Sequence, residues 1–557
     1  MFKGLPKGLI VAFFSNMGER FGFYTLVAIF VLFLQAKYGM TAATSSQVYA
    51  IFMSFVYFLP LLGGLLADRV LGYSKTISIG MVVMFLGYLL LAMPTPMGSG
   101  FGFIVTALAI IAIGTGLFKG NLQALVGKMF DEPPYKDKRA SGISIFYMGI
   151  NIGAMMAPTA AEIISNHILA KFHFFYDGRI PAMANAFLKN QLNTVQEYLT
   201  IAQLQDPSVT VATLDTFSKN YINALSESYH YGFGVACFSL IASMLIFWFF
   251  RKHYQQADHM AHAIPAQNKN QEQAYDESET KPRLIALGLI FAVVIFFWMS
   301  FHQSGVTMTY FARDYTVPQV GKATNLWFDL FGLLSIFLSA LGGYFLIRKH
   351  STPMQRWSGA IGFVLCALIA FWRYSGYSVS NPFTPQKFQH FNPFFIVALT
   401  PLVLGFFSWL KSKGKEPSGP RKIGIGMVIT AAGFMLLVFA SLSLISPKDM
   451  ATGAAVPLDS RVSVYWLITT YLILTIAELF ISPMGIAFVS SVAPPRMKGA
   501  AQGGWFAATA LGNYLLSVIG YLWDKISLWQ LWSVLVVCCL ISATVIFSIM
   551  KRLERFK

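Results

Sequence analysis

Apolar residues run along this chain in blocks of about 20, the helix length that crosses a hydrocarbon core, and polar residues gather in the gaps between blocks. The blocks fall near 10–36, 47–67, 75–94, 101–120, 142–165 and 230–250, and resume near 283–311, 324–347, 356–373, 393–410, 423–445, 463–490, 501–522 and 528–550. Fourteen windows of this kind predict an all-α integral membrane protein with the lipid bilayer as its main partner. Two polar stretches divide the pattern. Residues 251–282, rich in Gln and charge and carrying His253, His259 and His262, read as a solvated linker between a first unit, 1–250, and a second, 283–557. Residues 166–229 read as an inserted helical cap, with apolar positions at helical spacing around Ala182–Leu204.

Composition agrees with the pattern. The chain is 56% hydrophobic and 12% charged, against about 25% charge in soluble domains. The formal charge of +17 does not point to nucleic acid, because the basic residues collect in alternate loops. With the N-terminus inside, clusters at Lys136/Lys138/Arg139, Arg348/Lys349, Lys411/Lys413/Lys415 and Lys551/Arg552 all fall on the inner side. The positive-inside rule then sets both termini in the cytoplasm. No charged–apolar–small-residue leader precedes the first block, so no cleaved signal is expected. Cys237, Cys366, Cys538 and Cys539 lie inside apolar blocks and read as small core residues rather than disulfides or metal ligands.

Ionised residues inside these blocks are the candidate chemistry. Each costs roughly 2.5–3.5 kcal/mol on insertion scales and persists where it is paired or faces an internal cavity. Glu19 and Arg20 sit in the first block, Lys119 in the fourth and Glu478 in the twelfth. Two cations and one acid in the first unit, with one acid in the second, predict a central site for a zwitterionic solute. Nothing in the chain resembles a nucleotide-binding loop, a metal cluster or a nucleophile constellation, and lone serines such as Ser482 have no base partner at readable spacing. The reading is a carrier, and neither an enzyme nor an ATP-driven pump.

The loop Gly63-Gly64-Leu65-Leu66-Ala67-Asp68-Arg69, followed by Gly72 and Lys75, resembles the cytoplasmic loop signature of the major facilitator superfamily, with Asp68 and Arg69 as gating-loop residues. Further segments narrow the resemblance. Asn16-Met17-Gly18-Glu19-Arg20-Phe21-Gly22-Phe23-Tyr24 resembles the E-x-x-E-R-F-x-Y-Y signature of the proton-dependent oligopeptide transporter (POT) family. Phe118-Lys119-Gly120-Asn121, Ser144 to Ala154, Phe297-Trp298 with Gln303, Phe391-Asn392-Pro393, Ala477 to Pro483 and Gly504-Trp505-Phe506 resemble further spans of that family.

The resemblance implies two six-helix bundles, with an extra pair of helices near 324–373 placed between core spans seven and eight. It also implies import of di- and tripeptides by alternating access around a midplane site. Arg20 and Lys119 would hold the peptide carboxylate, and Glu478 its α-ammonium, beside Asn151, Asn392 and Ser482. Tyr24, Tyr57 and Trp505 would shape the pocket. Protons would be the coupling ion, with no other cofactor, through Glu19, Arg20, Lys119, Glu478 and His302. A monomer in a bacterial cytoplasmic membrane would suffice.

Three positions depart from the family pattern. Asn16 replaces the first motif glutamate, Phe23 the first motif tyrosine, and Gly120 the proline that follows the span-four lysine. Where many members have an acid in the seventh span, this chain has His302. Asn16 cannot titrate; an unperturbed histidine titrates near pH 6.5. Coupling is therefore expected to pass to His302, to Glu19 or to both, or to be weakened. The rival expectations are an uncoupled or differently coupled carrier of another small solute, and a membrane sensor that binds peptide without moving it.

Overall fold

The computed structural model describes residues 4–131, 134–262, 280–349, 351–494 and 497–554. Among them, 14 helices are long and apolar enough to cross a membrane, as the block pattern predicts. We number them as spans. Spans 1 to 6 are Lys7–Tyr38, Ala42–Leu71, Tyr73–Ala92, Phe101–Met129, Ser141–Lys171 and Leu214–Phe249. Spans 7 to 11 are Thr280–Asp314, Leu330–Ile347, Pro353–Gly376, Pro385–Ser412 and Gly419–Ser441. Span 12 lies in the helix Tyr465–Val492, and spans 13 and 14 are Gly499–Leu522 and Leu528–Ser548.

Spans 1 to 6 pack together around span 1, which touches spans 5 and 6 along its length. Spans 7 and 10 to 14 form the second bundle, with span 11 between 12 and 14, and span 13 against 7. The bundles meet where span 2 lies on span 13 and span 5 on span 10. This is the major facilitator fold, two six-helix bundles with two additional helices. An even number of crossings puts both chain ends on one face, here called the terminal face; the opposite face is the distal face. Span 1 is the most enclosed element, 78% of its apolar window being buried. Span 5 can lie directly on it because Gly153 has no side chain: a β-carbon there would sit 2.3 Å from the Met17 carbonyl oxygen.

Spans 8 and 9 pack mainly on each other, and only 6% of the span 9 window is buried. The chain leaves the second bundle through Gln319–Val320 and returns through Asn381–Pro382, and these two short strands pair antiparallel. Exit and entry are thus side by side, so the added pair hangs from the bundle and leaves the path of spans 10 to 14 undisturbed.

Several boundaries differ from the block pattern. Span 8 begins at Leu330 and not near 324, because Lys322–Phe328 forms its own short helix and the Asp329 carboxylate caps the new helix by accepting from the Gly332 N–H. Span 9 begins at Pro353 under a Thr352/Gln355 capping box. The distal insertion is narrower than 166–229: span 5 runs on to Lys171 and span 6 starts at Leu214. Helices Ile180–Leu188 and Val195–Gln205 lie between them. Apolar faces at the two span ends extend the helices beyond the bilayer-length windows, which a hydropathy window cannot register.

In the linker, Arg251–His253 and Gln255–His262 are helical, and Asp258 accepts from the Ser74 N–H at the start of span 3. The rest of the linker, 263–279, lies outside the described residues, as do the side chains of His259, His262 and Arg552. The four cysteines are free thiols. Cys366 is a correction to the core reading, since it is only partly buried, on the scarcely buried span 9.

Candidate functional site

The motif of span 1 turns its ionic residues into the first bundle. Arg20 forms a bidentate pair with the carboxylate of its chain neighbour Glu19, donating from Nε and Nη2. Both side chains are almost wholly buried, 4% and 1% exposed. The Arg20 guanidinium also lies over the Phe23 ring, 4.7 Å from its centroid. Of the two ion pairs open to Glu19, with Arg20 or with Lys119, the structure forms the first. A planar fork matches a carboxylate in two bonds at once, which a single ammonium cannot do.

Lys119 is left in a different condition. It is partly exposed, and its ammonium rests 3.6 Å from the centroid of the Tyr57 ring. No carboxylate lies within ion-pair distance of it among the described residues. A partly exposed cation over an aromatic face is held in place and remains available to an anion.

The second bundle presents the complement. Glu478 of span 12 is partly exposed and accepts a hydrogen bond from Asn392 Nδ2 at 2.9 Å; the same amide donates to Thr475 Oγ1 at 3.1 Å. No cation pairs with Glu478 among the described residues. Asn392 thus orients the carboxylate without neutralising it. Tyr24 and Tyr57, both partly exposed, lie within electrostatic range of Arg20 on one side and Glu478 on the other. The charged groups of the two bundles therefore face one shared space.

His302 belongs to that space. Span 7 breaks there: Thr280–Phe301 ends, His302–Gly305 forms a 3-10 turn, and Thr307–Asp314 resumes. Gly305 permits the break to pack, because any β-carbon would collide with the Tyr49 hydroxyl. A discontinuous span at a midplane site exposes polar groups where carriers bind their cargo. The His302 ring stacks on Trp298 with centroids 4.9 Å apart and faces Tyr57 at 5.7 Å. Its Nδ1 lies 2.5 Å from Asn513 Oδ1. His302 and Lys119 thus approach the same Tyr57 from opposite bundles. His302 therefore lies at the level of the charged centre.

The remaining expected residues are placed less decisively. Asn151 donates to the Tyr147 carbonyl of its own helix at 3.1 Å. Trp505 is 5% exposed, and its ring rests against the backbone of Gly485 in span 12, so it is packed rather than open. The Ser482 hydroxyl and the Asn16 amide nitrogen are buried without hydrogen-bond partners among the described residues. Phe23 is buried against Phe52 and Tyr24. Gly120 leaves 3.7 Å to Pro60, ordinary contact distance. In the gating loop Asp68 accepts from the Tyr73 hydroxyl at 2.7 Å, and Arg69 is exposed and makes no ion pair among the described residues. Asn513, Thr475 and Trp298 are site residues whose roles the sequence did not suggest. An amide within the apolar run Ala507 to Leu516 was the available signal for Asn513.

The hydrogen bonds seen between the bundles among the described residues lie in the distal half. Tyr310 shares hydrogen bonds with Ser45 and Ser46, Arg313 donates to Gln35, and Gln389 Nε2 approaches the Ala28 carbonyl at 3.5 Å. The innermost is Ser54 to the Ala510 carbonyl at 3.0 Å. From there to the terminal face no polar bond crosses between the bundles among the described residues. A separate cavity of about 480 Å³ lies at the distal face, lined by Arg179, Lys189, Arg313 and Arg461 among others; it is not the space shared by Lys119 and Glu478.

Two six-helix bundles, hydrogen-bonded to each other on one side of a charged centre, define a transporter of the major facilitator type. The chain belongs to the POT family, whose profile matches residues 74–271 and 379–531. It is 27% identical over 93% of its length to a peptide transporter of Yersinia enterocolitica, covering 88% of that protein. It is 26% identical to dipeptide and tripeptide permease A of Escherichia coli, over 92% of this chain and 83% of the permease. Among solved structures, a POT family transporter in complex with 5-aminolevulinic acid superposes with a TM-score of 0.67 at 16% identity, over 99% of this chain and 98% of the other. A peptide transporter in complex with alafosfalin superposes with a TM-score of 0.64 at 20% identity, over 100% and 96%.

Proposed function

We propose that this protein imports di- and tripeptides across a bacterial cytoplasmic membrane, with both termini in the cytoplasm, by alternating access between its two bundles. The observation that carries this reading is the charge arrangement between the bundles: an ammonium, Lys119, in one and a carboxylate, Glu478, in the other, neither with an ion-pair partner among the described residues. A peptide's carboxylate and α-ammonium are the matching pair, separated by a backbone whose amides carry no charge. The relatives named as peptide transporters and as dipeptide and tripeptide permeases support the same substrate class.

In this reading Lys119 receives the carboxylate first, and Arg20 joins it once Glu19 is drawn away. Glu478, oriented by Asn392, receives the ammonium. Tyr24 and Tyr57 line the interval between the charges, and Asn151, Ser482 and Trp505 border the substrate. Net charge supports one zwitterion: Arg20, Lys119 and Glu19 sum to one positive charge, and Glu478 adds one negative.

Proton coupling, in this reading, runs without a span 1 acid at position 16. His302 is the titratable group that shares Tyr57 with Lys119, so its protonation would compete with the lysine for the same space. The test is labelled dipeptide uptake into proteoliposomes with and without an inward pH gradient. Accumulation above equilibrium only with the gradient is the expected result. Exchange indifferent to the gradient would make the protein a facilitator, and no dipeptide flux or competition would sink the peptide assignment.

A further inference from the structure

Alternating access requires the bundles to meet at the distal face in one state and to part there in another. Among the described residues one ion pair crosses between the bundles. Lys387, in the turn Pro385–His390 that opens span 10, places Nζ 2.7 Å from a carboxylate oxygen of Glu162 in span 5, the two side chains being 14% and 8% exposed. The Thr384 hydroxyl donates to the other oxygen at 2.8 Å and the Thr384 N–H at 3.2 Å. Three donors from one bundle thus converge on a single carboxylate of the other. The remaining bonds across the distal seam join neutral groups, or a cation to a neutral amide.

We propose that Glu162 and Lys387 form the latch of the distal gate, and that opening to the distal side requires this pair to separate; the inference rests on the alternating-access reading. Closed, the two ions satisfy each other out of water. Open, each is hydrated. Removing one charge leaves the other buried and unpaired only in the closed state, so neutralising either partner moves the population toward the open one. The latch is also tied to the charged centre. Span 5 carries both Glu162 and Asn151, and Lys387 lies five residues before Asn392, which holds Glu478. A cargo that pulls on Glu478 and Asn392 pulls on the element that carries Lys387. Glu162 and Lys387 are therefore positioning residues, acting on transport through the gate and not on the cargo.

The test is a spin-label distance between Ser99 and Ser460, exposed positions on distal loops of the two bundles. It is measured in purified full-length protein with the four native cysteines replaced. No cargo is added, so failure of the peptide assignment leaves the result readable. The unsubstituted pair should give a short distance. Glu162→Gln and Lys387→Met should each enlarge the long-distance population at least about tenfold relative to the short one. The charge exchange Glu162→Lys with Lys387→Glu should restore the short distance, which a merely space-filling role would not. If the single variants do not give monodisperse protein, Glu162→Asp, which keeps the charge and shortens its reach, should show the same shift. An unchanged distribution in the neutralised variants, or in Glu162→Asp where it stands in for them, overturns the latch, as does an exchange that fails to restore closure.

Discussion

The two sides of the charged centre hold their charges in opposite ways. In the first bundle the ions are exchangeable: Glu19 already has Arg20 as a bidentate partner, Lys119 has only a ring, and a carboxylate can pair with either of the two cations. In the second bundle Glu478 is held by a neutral amide, which is itself braced on Thr475. One side is a set of ion pairs that can be redistributed; the other is a preset receptor. Cargo binding can therefore change the pairing of the first side without rebuilding the second, which is how a small ligand could bias two global states.

The contrast predicts unequal losses when each side is damaged. The largest belongs to Glu478→Gln, because nothing nearby replaces its charge. Affinity for dipeptides with a free amino terminus should fall roughly 30- to 4,000-fold, the range for truncating one partner of a buried hydrogen-bonded charge pair. N-acetylated dipeptides should be hardly affected, and competition assays with both peptide forms make the comparison. Lys119→Gln should cost less, about 10- to 30-fold, since Arg20 can leave Glu19 and take the carboxylate. A double-mutant cycle with Glu19→Gln should then recover part of that loss. Strict additivity would mean that the first side is as fixed as the second.

His302 tests whether the border between the two sides carries the proton. His302→Gln should retain counterflow of labelled dipeptide and lose gradient-driven accumulation. A pH dependence identical to the parent protein would remove His302 from coupling and leave Glu19 as the remaining expectation.

The smallest effect is expected far from both sides, at the base of the peripheral helix pair. Burial would raise the Asp329 carboxyl, but hydrogen bonds from Arg373 and Tyr377 outweigh it and hold the group below its ordinary value. A depressed carboxyl stabilises the fold above the unfolded-state pKa, and that contribution fades as pH falls through the folded value, so the loss should begin below about pH 4. Asp329→Asn should lower stability near neutral pH by about 1–3 kcal/mol at most, discounted because Arg373 is partly exposed. Thermal unfolding in detergent at several pH values would read it. Transport should be unchanged, and a large transport defect would show that spans 8 and 9 do more than hang from the second bundle.

Much of this was legible from residue order. Apolar runs of membrane length specified fourteen spans because every backbone polar group in lipid must be satisfied within its own helix. Glu19, Arg20, Lys119 and Glu478 stood out because a charge inside such a run is too costly to be incidental. Residue order also carried the family motifs and their departures at Asn16, Phe23 and Gly120. It did not carry pairing. That Lys119 rests on Tyr57, that His302 meets Tyr57 and Asn513, and that Glu162 meets Lys387 all depend on how separate helices turn and slide against one another. Those rotations are set by close contacts such as Gly153 on Met17 and Gly305 under Tyr49, whose partners lie far apart along the chain. Hydropathy is a property of each segment and can be read locally; the choice of partner is a property of packing, and only the tertiary structure decides it.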